Sequence, residues 1–118
     1  MDATTALKCL IQLEKIKTGI LWCQQCAQQL EALPRREQTG AARILEVMVA
    51  QLDHELALAR HAYPQGSWTQ AGKSLDMAAV MISSGVPQES AYHLSQALRV
   101  LMNSAGEAAR VLRRQGLL

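Results

Sequence analysis

Between Ala91 and Leu112 the residues Ala91, Leu94, Leu98, Leu101, Ala105, Ala108 and Leu112 recur at alternating three- and four-residue steps. That period belongs to a helix buried along one side, whereas a strand alternates at every second residue. The N-terminal segment repeats the pattern with Ala6, Cys9, Leu13, Ile16, Ile20, Cys23, Ala27 and Leu30. Seams of this length are covered by other long helices, so the expected fold is an all-α bundle.

The breaks divide the chain into four helices. Helix 1 is expected from about Thr4 to Leu33, with Asp2, Thr4 and Thr5 offering N-cap oxygens. Gly19 falls inside it at some cost in propensity. Pro34 disfavours helix at Leu33 and suits the start of helix 2, which runs to about Ala62. Its inward face reads Leu45, Met48, Leu52, Leu56, Ala59 and Tyr63. Tyr63-Pro64-Gln65-Gly66 marks a turn, and Ser67 with Gln70 forms a candidate capping box. Helix 3 then buries Ala71, Leu75, Ala78, Ala79 and Ile82 and stops at Gly85. Pro87 opens helix 4, and Arg110, Arg113 and Arg114 suit its negative C-terminal end. At 1.5 Å per residue the helices measure about 45, 38, 27 and 42 Å. Short connections make chain neighbours antiparallel, giving an up-down-up-down four-helix bundle with a shorter third helix.

A chain of 118 residues fits one domain spanning positions 1–118. It is 49% hydrophobic but only 3% aromatic, without Phe, so aliphatic residues and Ala must build the core. A net charge of +2 is too small to imply nucleic acid or a membrane surface. The loose basic cluster of Arg35, Arg36, Arg43, Arg99 and the helix 4 arginines lacks interleaved aromatics. Lys8, Lys15 and Lys17 interrupt any secretory apolar stretch, and no window suits a membrane span. Three cysteines, an odd count, fit a reducing compartment, so the expected location is cytoplasmic.

Some apolar residues point away from the seams. On helix 1, Leu7, Ile11 and Trp22 align with Thr18 as a second stripe interrupted by Glu14, and Leu21 also falls outside the seam. On helix 3, Met77, Val80 and Met81 oppose Leu75 and Ile82, making that helix apolar nearly all round. One bundle does not cover both stripes. Leu7, Ile11, Trp22, Met77, Val80 and Met81 are therefore the expected interface residues, for a second copy or another protein.

Cys23-Gln24-Gln25-Cys26 places two sulfurs on adjacent turns, and His93 on helix 4 falls near the same end of the bundle. These three are the candidate metal ligands, although a lone C-x-x-C lacks a second ligand pair and core cysteines act as small hydrophobes. His54 and His61 stand seven apart, about 10.5 Å on a helix, too far to chelate one ion. No Glu-x-x-His pair, phosphate loop or nucleophile elbow occurs, so no catalytic residue and no cofactor is implied and an enzyme is disfavoured. The expected function is a non-enzymatic helical interaction module, an adaptor, chaperone or regulatory subunit, acting as a homodimer. The alternatives are a metal- or thiol-responsive regulator using Cys23 and Cys26, and a ligand-binding or enzymatic bundle with a buried apolar pocket.

Overall fold

The computed structural model describes residues 1–64 and 66–118. Four α-helices account for most of them: α1 (Ala3–Glu31), α2 (Arg35–Ala62), α3 (Trp68–Ser83) and α4 (Ser90–Arg114). A 3₁₀ turn, Pro87–Glu89, leads into α4, and no strand occurs among the described residues. Consecutive helices pack on one another and α1 packs on α4, while the diagonals hardly touch. Gln12 reaches Glu55 and Gly19 faces Leu52, so α1 and α2 run in opposite directions, and Gln24 of α1 reaches Ser95 of α4. The result is a four-helix bundle measuring 54 × 22 × 17 Å, with α3 its shortest member at 16 residues.

Every residue of the α1 seam is buried. The other faces are displaced slightly from expectation. On α2 the buried set is Leu45, Val49, Leu52, Leu56 and Ala59, with Tyr63 beyond the helix end; Val49 takes the place expected for Met48, which is half-buried. On α3, Trp68 joins Ala71, Leu75, Ala78 and Ile82, while Ala79 is only half-buried. On α4 the line runs Ser90, Leu94, Ala97, Leu101, Ser104, Ala108 and Leu112. Leu98 and Ala105 are half-buried beside it.

The α4 displacement has a polar cause. Ser90 donates its hydroxyl to the Pro87 carbonyl at 2.5 Å, and the Ser104 hydroxyl accepts the Ser67 N–H at 3.5 Å. Both hydroxyls are thereby satisfied inside the core, where an unpaired one is costly. The expected capping box at Ser67 is absent, because the Ser67 side chain makes no cap bond and its N–H turns to α4 instead.

The ends of the helices follow local chemistry. Asp2 caps α1 by accepting the Thr5 N–H at 2.7 Å. α1 stops at Glu31, two residues before the expected end, and the Gln38 amide donates to the Leu33 carbonyl exposed there. Pro34 is the residue preceding α2 rather than its first turn. Gly85 adopts φ +83°, and Val86 N–H donates to Met81 C=O while Gly85 N–H donates to Ile82 C=O. This is a Schellman cap, which a left-handed glycine permits. Of the expected 63–66 turn, Gln65 lies outside the described residues. Gly66 is pressed by the Trp68 indole, whose N–H donates to the Tyr63 carbonyl.

Candidate functional site

The surplus apolar residues are where a site must be sought. Leu7, Ile11 and Trp22 are all exposed, Trp22 by 63%. On α3, Met77 and Val80 are exposed and Met81 is half-buried, so α3 is not enclosed on all sides as its composition suggests. The helix 1 stripe does not stand alone. Ile44, Val47 and Leu58 on α2 are also exposed, by 65%, 58% and 51%. They fall on the side of α2 that flanks α1, as the groove-lining residues Ile44, Met48, Gln51 and Glu55 show. Ile11 and Trp22 of α1 therefore lie toward the same face as Ile44, Val47 and Leu58 of α2, while Leu7 and Leu21 turn away from it.

Two grooves run along that face between the helices. The first, of about 540 Å³, is lined by Glu14, Lys15, Thr18, Gly19 and Trp22 from α1 and by Gln51, Leu52 and Glu55 from α2. The second, of about 330 Å³, is lined by Cys26, Gln29, Leu30, Leu33, Ala41, Ile44, Leu45 and Met48. Gly19 explains why the helices approach closely here: the Leu52 side chain fills the space its Cβ would need. The charges beside the first groove are already partnered. Lys15 Nζ lies 3.0 Å from Glu55, and the Gln12 amide donates to the same carboxylate at 2.7 Å. Those contacts hold the Glu55 carboxyl below its usual range. Glu14 lies 3.7 Å from Lys17.

The sequence reading missed the α2 half of this face. Its signal was available: Ile44, Val47 and Leu58 recur at steps of three and eleven, close to whole turns of helix, outside the buried line.

The candidate thiols differ in their surroundings. Cys23 is buried in the α1 seam, Cys26 is exposed at the second groove, and His93 is half-buried against Tyr92 with ring centroids 5.2 Å apart. Burial, and secondarily Cys26, pushes the Cys23 thiol up to about 11. A reactive thiol shows the opposite shift. No group of three His, Cys, Asp or Glu side chains among the described residues is placed to hold an ion. A third feature is the cleft between α2 and α3, where Asp53 and Asp76 share the lining with Arg60 and Lys73.

Comparison with protein-family profiles, curated proteins and solved structures returns no match. Among the described residues no helix is long and apolar enough to cross a membrane.

Proposed function

We infer that the chain is a non-catalytic helical interaction module that works by protein–protein contact, and that it binds a second copy of itself through the α1/α2 face. The observation that carries this reading is the exposed apolar set Ile11, Trp22, Ile44, Val47 and Leu58 around two apolar grooves. Single exposed apolar residues are ordinary, but a shared face of this kind is what interfaces present.

Electrostatics supports the same partner. In a two-fold contact each patch meets itself, so an unbalanced charge would meet its like. Here Lys15 is already paired with Glu55.

Sedimentation of point variants tests the reading. Trp22→Ala should weaken self-association by ~2 kcal/mol, roughly thirtyfold in Kd, since an interfacial tryptophan is a typical hot spot. Val47→Asp should abolish it, while helicity by circular dichroism stays unchanged in both. Val80→Asp, on α3, should sediment as the unaltered chain does. Association that survives Val47→Asp and fails in Val80→Asp would transfer the interface to α3.

A further inference from the structure

We propose that the hollow between the first half of α2 and the end of α3 binds a small phosphate monoester with an apolar body, its phosphate held by Arg35, Thr39 and Arg43. Self-association through the α1/α2 face is not required, because this hollow lies on the α3 side of α2.

The basic residues at the start of α2 are placed for a ligand in a way their number alone does not show. Arg35, Thr39 and Arg43 follow at four-residue steps, so each stands about one turn from the next on a single side of the helix. All three line one hollow of about 450 Å³. That volume is ordinary for a small-molecule site. Leu30, Ile82 and Pro87 line it too and are buried, so its floor is apolar.

Neither arginine is committed elsewhere. Among the described residues the ion pairs are Lys15 with Glu55 and Lys17 with Glu14, so Arg35 and Arg43 have no acidic partner. The carbonyls of Val80, Met81 and Ile82 at the end of α3 already accept the N–H groups of Ser84, Val86 and Gly85. Glu46 is the one carboxylate in the lining, seven residues or ~10.5 Å along α2 from Thr39. The anion therefore sits on the Arg35 side of Arg43.

Charge and shape choose the ligand. A phosphate monoester carries about −1.5 to −2 at neutral pH and offers three strong acceptor oxygens. Two guanidiniums and a hydroxyl answer both properties. A carboxylate, with a single charge, would leave one arginine unmatched. The apolar floor takes the organic part of the ester, and inorganic phosphate has nothing to place there.

Calorimetric titration with phenyl phosphate tests the assignment. It should bind at one site per chain, and about tenfold or more tightly than inorganic phosphate, because the ring buries apolar surface. Arg35→Gln and Arg43→Gln should each weaken it by about tenfold or more, since each removes charge-assisted hydrogen bonds. Arg36→Gln removes the same charge one residue away, outside the lining, and should leave the affinity unchanged. All three arginines are exposed, so circular dichroism should show the fold intact in every variant. Glu46→Gln should tighten binding. Vesicles of phosphatidylcholine containing phosphatidic acid should not sediment the chain. Equal weakening by the three arginine variants would reduce the effect to bulk charge and overturn the site. Absence of binding at millimolar phenyl phosphate, or inorganic phosphate binding as tightly, would also overturn it. Weaker binding in Glu46→Gln would contradict the placement of the anion. Sedimentation with the vesicles that is lost in Arg43→Gln would reassign the phosphate to a lipid headgroup and overturn the soluble ester.

Discussion

At the scale of single residues, Asp53 shows how burial couples to pH. Its carboxyl is pushed up to about 6, chiefly by burial and then by the neighbouring Asp76 charge and a hydrogen bond shared with it. An aspartate in the unfolded chain titrates near 3.8. The folded protein thus holds this proton more tightly than the unfolded one. Its stability is greatest with the proton on, and falls as pH rises from about 4 through about 6. Asp53→Asn removes the titration. Its urea midpoint should vary less than that of the unaltered chain between about pH 5 and about pH 8, and lie higher at the upper end. An unchanged dependence would assign the effect to another group. The α4 core makes a second residue-scale prediction. Leu101 is fully buried, so Leu101→Ala should cost about 2–5 kcal/mol through lost burial and the cavity left. Leu98 is only half-buried, and Leu98→Ala should cost distinctly less in the same denaturant melts. Equal losses would contradict the position of the α4 line.

At the scale of elements, what was legible in the sequence follows from what local chemistry decides. The α1 seam was readable to the residue, because every member is apolar and the step pattern never breaks. The Gly85 stop was equally plain, since a left-handed cap demands glycine. Gly85→Ala should cost about 1–2 kcal/mol by forcing a Cβ into that conformation, measurable as a lower urea midpoint with an unchanged slope. The α4 line was misplaced because Ser90 and Ser104 are polar by type, and only their bonds, to Pro87 three residues before and to Ser67 on the neighbouring helix end, make them suitable for the core. Trp68 escaped notice for a related reason. It stands at the very start of α3, where periodicity has no preceding turn to lean on, and its indole N–H finds the Tyr63 carbonyl. The candidate site was half legible. Trp22 and Ile11 stand out on a wheel of α1, but the face they share with α2 depends on which side of α2 meets α1. That is fixed by tertiary pairs such as Gln12 with Glu55 and Gly19 with Leu52.

At the scale of the whole molecule, the bundle's interior and its exterior make different demands. The interior is complete: α1 to α4 bury one continuous core, and no buried side-chain nitrogen or oxygen among the described residues lacks a partner. On the exterior, the α1/α2 face leaves Trp22 and Ile44 open to water by 63% and 65%. The self-association proposed above would cover that face with a second copy and make an eight-helix assembly. The most direct measurement is the mass of the unaltered chain by sedimentation equilibrium across a concentration series. The account predicts a particle of twice 12.9 kDa at tens of micromolar, dissociating on dilution. A mass of 12.9 kDa throughout the series would contradict it.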